Sequence, residues 1–224
     1  MGASAAGDLF DRLARRYDRG NRIISLGQDL RWKRRAVRRL HAPPDATLLD
    51  LGAGTGDLSR IAKEAFPMAS VVALDASRAM LRAGRFPPGA AVVGDAQRLP
   101  LRDASADGAV SGFLLRNLPD LDAFFAAAAR ALRPGARLVV LEIAYPKGTV
   151  QRALFRAYFH GVAPLLGGMA AGNFAAYRYL SRSLRAFPPP ERLAEIAKAA
   201  GFSCVAIERS AWLGLFLLVL RRDA

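Results

Sequence analysis

Leu48-Leu49-Asp50-Leu51-Gly52-Ala53-Gly54-Thr55-Gly56-Asp57-Leu58 is the stretch whose reading decides the fold. From Thr47 to Leu51 the chain is a short apolar run broken only by Asp50, the pattern of a buried strand. Three glycines at alternate positions follow, and then a helical pattern begins. Strand, tight turn and helix start are thus contained in one segment. Glycine tolerates positive φ and removes the Cβ atoms that would hold a ligand away from the backbone. Asp57 stands at the helix start, where an acid complements the macrodipole.

A glycine-rich turn alone is weakly specific, because dinucleotide binders use a similar loop. The next acid sharpens it. Asp75 ends a second apolar run, Val71-Val72-Ala73-Leu74-Asp75, and lies 19 residues beyond Gly56. In doubly wound folds an acid at this strand tip accepts hydrogen bonds from adenosine ribose hydroxyls. The glycines are spaced G-x-G-x-G rather than G-x-G-x-x-G, the pattern of S-adenosylmethionine (SAM) methyltransferases. A third strand end, Val92-Val93-Gly94-Asp95-Ala96, offers an acid and a small residue suited to an adenine amino group and ring face. The expected cofactor site therefore comprises Gly52, Gly54, Thr55, Gly56, Asp75, Ala76, Asp95 and Ala96. The bland alternative makes Asp75 and Asp95 ordinary strand-end turn residues.

Outward from this core, strands are expected at about 47–51, 70–75, 90–94, 107–112 and 137–143, with helices at about 57–66, 77–84 and 120–132. That alternation predicts an α/β fold, a doubly wound, mostly parallel seven-stranded Rossmann-like sheet. Arg133-Pro134-Gly135 reads as the stop after the third of these helices. A helix at about 190–200 and two strands, 203–209 and 213–221, pairing antiparallel at one edge, complete it. The whole of 1–224 is expected to form one domain, with a helical cap over 1–44 and a helical lid over 145–187. The cap holds an amphipathic helix over 8–17 and a basic one over 28–40. The lid is expected as two segments, about 150–166 and 173–185, split at Leu166-Gly167-Gly168. Inserted after a strand's carboxyl end, it falls on the ligand-binding side.

Composition narrows the function. With 224 residues and 52% apolar content the chain has enough material for a sizeable core. Its one cysteine, Cys204, excludes a disulfide framework and a multi-cysteine metal site, and no metal is expected; a plain buried thiol is the simplest role for it. Lys and Arg number 33 against 19 Asp and Glu, a formal charge of +14. Such a surplus suits an anionic partner, nucleic acid or membrane surface, or reflects arginine-rich composition alone. Most of the basic side chains of helix 28–40 read as a solvated face; the sharper reading is a patch meeting anionic lipid. Without a signal segment or a run long enough to span a bilayer, the expected location is cytoplasmic and membrane-peripheral.

More specific motifs lie outside the glycine loop. Phe10-Asp11, Tyr17-Asp18, Asn21, Ser25 and Trp32-Lys33-Arg34 form one set. Leu115-Arg116-Asn117-Leu118, Arg130-Ala131-Leu132-Arg133-Pro134-Gly135, Leu141-Glu142, Tyr177-Arg178-Tyr179-Leu180 and Ala200-Gly201-Phe202 complete it. On these residues the chain resembles the UbiE type of ubiquinone/menaquinone biosynthesis C-methyltransferases over nearly its whole length. It departs from their pattern at Gly20, Asp29, Gly112, Ala136 and Ala144, where they usually carry Met, His, Ser, Gly and Ser. The serine replaced by Gly112 is commonly assigned to SAM contact, so Gly112 joins the expected cofactor site.

The resemblance implies methylation of a ring carbon on a prenylated quinol, demethylmenaquinol or a demethylated ubiquinol precursor, with SAM as donor. Such a reaction needs a phenolate-like oxyanion stabilised beside the methyl group and a ring proton removed afterwards. Arg116, after the fourth strand, is the expected charge stabiliser; its bland alternative is an ion pair with Asp120. Asn117 would orient a hydroxyl or water, and Tyr17 and Tyr177 would bond the quinol oxygens. Asp29 would accept a proton if it reached the pocket, and otherwise is an exposed acid paired with a neighbouring arginine, the reading we prefer. The expected partners are a hydrophobic quinol, anionic membrane and a second copy in a homodimer. RNA is disfavoured: Leu115-Arg116-Asn117-Leu118-Pro119 occupies the place of an Asn-Pro-Pro-Tyr-like motif, and no catalytic cysteine for pyrimidine methylation is present. Another lipid-like acceptor and a non-catalytic SAM-binding subunit are the remaining alternatives.

Overall fold

The structure is a computed structural model that describes residues 22–23, 25, 27–163, 183–210 and 214–224. The expected helix over 8–17, most of the second lid segment, Tyr17 and Tyr177 lie outside the described residues. Seven strands form one sheet: β1 (Thr47–Leu51), β2 (Ser70–Asp75), β3 (Ala91–Val93), β4 (Ala106–Gly112), β5 (Leu132–Ile143), β6 (Phe202–Arg209) and β7 (Leu215–Arg222). Their spatial order is β3-β2-β1-β4-β5-β7-β6. The first five are parallel, and β7 runs antiparallel between β5 and β6.

That order places the ligand crevice. From β1 the chain moves outward through β2 and β3, then returns to β4 on the other side of β1. Loops leaving the carboxyl ends of β1 and β4 therefore diverge to opposite faces and leave an opening between them.

Helices cover both faces, so the central strands bury both sets of side chains. Along β5, Leu138 and Val140 join Phe124, Phe125 and Phe202 on one face. Val139 and Leu141 join Ala36, Val37, Leu58 and Ile61 on the other. The period-two alternation of the strand assigns these residues to the two layers. α1 (Gln28–Arg38) and α2 (Asp57–Ala65) pack on the second face; α4 (Leu121–Ala131) and α6 (Pro190–Ala199) pack on the first. α3 (Arg78–Ala83) follows β2 with Ser77 as its cap, the Ser77 Oγ accepting from the Met80 amide at 3.0 Å. Asp120 caps α4 likewise, accepting from the Ala123 amide at 2.9 Å. α5 (Thr149–Ala157) runs into a wider π turn at Tyr158–Val162, the first part of the expected lid, and residues 183–186 are again helical.

Two expectations change. The fifth strand begins at Leu132 rather than at 137: Leu132 pairs with Ala106 while Arg137 pairs with Gly108, and the intervening residues bulge out through Gly135 at φ +82°. Cys204 is exposed, not buried, because β6 is an edge strand whose outer face is open and whose register shifts between Cys204 and Ala206.

Candidate functional site

A cavity of about 300 Å³ opens at the carboxyl ends of β1 to β4, the lower end of the usual small-molecule range. Gly52, Ala53, Gly54 and Thr55 line it from β1; Asp75, Ala76 and Ser77 from β2; Gly94, Asp95, Ala96 and Gln97 from β3; Gly112, Phe113 and Leu114 from β4. Asn117, Leu118 and Pro119 close one side, and Lys33 reaches in from α1.

Backbone hydrogen bonds hold the loop to the next strand. The Gly52 and Ala53 amides both donate to the Leu74 carbonyl, at 2.8 and 3.0 Å. The Asp75 carboxylate spans two elements: Oδ2 accepts from the Gly54 amide and Oδ1 from the Ser77 amide, each at 2.8 Å. Its position is thereby fixed by two backbone amides. Asp95 is exposed, its Oδ1 accepting from the Gln97 amide at 2.9 Å, and Ala96 beside it is buried.

The glycines answer to different demands. A Cβ on Gly54 (φ +57°) would meet only the end of Met80, at 3.2 Å, so this residue opens the cavity wall. Gly56 (φ +90°) does not line the cavity; a Cβ there would fall 2.5 Å from Cε1 of Phe86, so a side chain would have to displace that ring. At Gly112 a Cβ would stand 2.7 Å from Leu58 Cδ1. In this chain Leu58 fills the space that a residue larger than glycine would need.

Beneath the loop, Asp50 is fully buried and accepts from the Ser59 hydroxyl at 2.6 Å. Burial pushes its carboxyl up to about 6, and the nearby Asp75 charge adds to the effect, against the Ser59 hydrogen bonds and the more distant Lys33.

Arg116 and Asn117 lie on the single turn Leu115–Asn117 after β4. Arg116 does not line the cavity, and it pairs with Glu142 rather than Asp120: Nη1 donates to Glu142 Oε2 at 2.7 Å. Its guanidinium also sits 5.6 Å from the Phe113 ring centre. Phe113 has φ +60°, a backbone state disfavoured for a bulky residue, at the edge of the cavity. Asn117 Nδ2 donates to the Phe113 carbonyl at 3.1 Å, while its Oδ1 is buried and has no hydrogen-bond partner among the described residues.

Asp29 differs from the preferred expectation. It is 2% exposed and its neighbour is a lysine, with Lys33 Nζ 3.6 Å from Oδ2; Oδ1 accepts from the Ser25 hydroxyl at 3.0 Å. Asp29 is not among the cavity-lining residues. Lys33 itself was hidden within a run of solvated arginines. Its signal was position: it shares a helical face with Asp29, Ala36, Val37 and Leu40, all buried. Lys33 Nζ donates to Asp57 Oδ2 at 2.8 Å. Burial opposes ionisation of Asp57, but Lys33 and then Arg60 more than offset it and hold the carboxyl below its ordinary range.

Among the described residues, the charges lining the cavity are therefore Asp57, Asp75 and Asp95 against Lys33, an acidic lining in a chain of net charge +14. That suits a sulfonium cation joined to an adenosine and does not suit a pyrophosphate. The donor set thus fits SAM: acids for ribose and adenine, small and apolar walls at Ala96 and Leu118, and an open backbone at Gly54.

Comparison with known proteins agrees with this fit. The model of the ubiE/COQ5 methyltransferase family matches residues 2–214. The chain is 42% identical over 201 residues to a demethylmenaquinone methyltransferase of Thermus thermophilus, covering 87% of this chain and 91% of that protein. It is 38% identical over 199 residues to a ubiquinone/menaquinone biosynthesis C-methyltransferase UbiE of Desulfotalea psychrophila, covering 87% and 80%. A SAM-dependent methyltransferase from Aquifex aeolicus shares the fold, with a TM-score of 0.58, 14% identity and 84% and 88% coverage. The chain is a SAM-dependent methyltransferase and belongs to the ubiE/COQ5 methyltransferase family.

Proposed function

We propose that this enzyme methylates a ring carbon of a prenylated quinol, demethylmenaquinol or a demethylated ubiquinol precursor. The observation that carries the cofactor end of this reading is the acidic lining around an open glycine turn, with Asp75 fixed by the Gly54 and Ser77 amides. Bound SAM supplies an electrophilic methyl group on a sulfonium. Asp75 would accept the ribose hydroxyls, Asp95 and Ala96 would meet the adenine, and Gly52, Gly54, Thr55, Ala76 and Gly112 would form the walls. The names of the relatives support the quinol as acceptor.

The chain's own work lies at the turn after β4. Loss of a quinol hydroxyl proton to water places charge on oxygen and on the adjacent ring carbon, which takes the methyl group and then releases its ring proton to water. Arg116, anchored by Glu142, would stabilise that oxyanion; a guanidinium stays protonated and does not serve as base. The buried, unpartnered Asn117 Oδ1 would accept a hydrogen bond from a hydroxyl or water. Tyr17 and Tyr177 would bond the quinol oxygens. Asp29, held by Ser25, would orient Lys33 rather than meet the acceptor. The cap over 1–44 and the lid over 145–187 would close a single domain around the acceptor.

No helix among the described residues is long and apolar enough to cross a membrane. A prenylated acceptor resides in one, so we place the enzyme at the membrane periphery, with exposed Arg31, Arg34, Arg35 and Arg38 of α1 facing anionic lipid. The test is methyl transfer from labelled SAM to each reduced quinone in detergent, with bulk RNA in parallel. Label in a quinone fraction is expected; label in RNA alone would overturn the reading.

A further inference from the structure

The cavity has a direction. Its lining runs from Asp95 and Ala96 at β3, past Asp75 at β2, to the loop after β1, and beyond that loop to Asp57 and Lys33. With adenine at β3 and ribose at β2, the far end of an adenosyl ligand falls toward α2 and α1. In SAM that end is an α-amino acid, with an ammonium and a carboxylate on one carbon. The wall there carries the same two charges: the Lys33 ammonium donates to Asp57 at 2.8 Å, and both residues line the cavity.

We propose that the Lys33–Asp57 pair is the recognition site for the zwitterionic amino-acid end of the cofactor, Lys33 donating to its carboxylate and Asp57 accepting from its ammonium. The inference rests on the cofactor placement given above. Lys33 and Asp57 side chains are 9% and 14% exposed, so water screens their charges weakly. Each is also held from behind: Asp29 lies 3.6 Å from Lys33, and Arg60 donates to Asp57 Oδ1 at 3.3 Å. Those supports hold both side chains in place while each turns part of its hydrogen bonding toward a ligand. An ammonium carries three donors and a carboxylate several acceptor positions, so the pair bond and a ligand bond coexist. The pair also joins α1 to α2, and cofactor binding would thus fasten the N-terminal helix to the glycine loop.

The test is calorimetric binding of SAM, decarboxylated SAM and 5′-methylthioadenosine, which lacks the amino-acid end. Lys33→Met is expected to weaken SAM by roughly tenfold to hundredfold. It should leave decarboxylated SAM and 5′-methylthioadenosine unchanged. Asp57→Asn should weaken SAM and decarboxylated SAM alike and spare 5′-methylthioadenosine. Melting curves of both variants establish folding. Equal loss for all three ligands, or no loss for SAM, would overturn the proposal. Wild-type protein that bound none of them would instead remove the cofactor placement beneath it.

Discussion

Arg116 and Glu142 form an ion pair between the turn after β4 and the end of β5, with Nη1 2.7 Å from Oε2. Glu142 is fully buried, and its Oε2 also accepts from the Ile143 amide at 3.1 Å. The cation is thus anchored to the sheet. Truncating Glu142 removes the carboxylate that faces a buried guanidinium, so Glu142→Ala should lose about 3–5 kcal/mol of stability in denaturant titrations. An unchanged midpoint would show that the pair is dispensable.

Arg116→Ala should keep its SAM affinity, because the residue does not line the cavity, while turnover falls by roughly a hundredfold or more. Labelled methyl transfer measures the second and calorimetry the first. Turnover near the wild-type level would remove Arg116 from the reaction.

Asp75→Ala should weaken SAM binding and leave the Gly54 and Ser77 amides without their acceptor. Unaltered binding enthalpy and affinity would sink the ribose assignment.

Asp50 titrates near 6 in the folded protein against an ordinary 3.8. The folded state therefore holds this proton more tightly than the unfolded state. The associated stability is fully present below about 3.8 and is lost as pH rises through about 6. The displacement is worth about 3 kcal/mol. Asp50→Asn has no such titration and can still accept from Ser59, so its stability relative to wild type should improve between pH 4 and pH 8. A difference that stays constant across that range would contradict the assignment.

Gly56→Ala combines a φ of +90° with a clash against Phe86. It should cost about 1–3 kcal/mol, and adding Phe86→Ala should return the packing part but not the backbone part. Simple additivity of the two substitutions would mean that the ring does not govern the site.

Local signals in the chain were readable because their causes are local. The apolar run 47–51, the glycine turn and the acid at Asp75 all report on neighbours within one strand-turn-helix unit, and β1 and β2 fall at the expected residues. What was hidden depends on partners far along the chain. Lys33 meets Asp57 across 24 residues and Arg116 meets Glu142 across 26, so neither partner is visible in a helical or strand period. Asp120 was the nearer acid for Arg116 but is occupied as the cap of α4. Cys204 read as buried because an edge strand carries the same β-branched and apolar pattern as a central one. The start of β5 was displaced by a bulge that proline and glycine signals alone report as a helix stop.

β7 comes after β6 in the chain yet lies inside it in the sheet, between β5 and β6, with Leu215 through Leu220 buried. During synthesis the five parallel strands therefore emerge first, and the edge of β5 stays open until β7 has left the ribosome. β6 emerges earlier but has no place to dock until its follower arrives. A nascent chain halted before Leu215 would present an unpaired, apolar strand edge, the kind of surface that chaperones shield and that aggregation recruits. The sheet of this enzyme is thus completed only when its seventh strand docks, however early its cofactor loop takes shape.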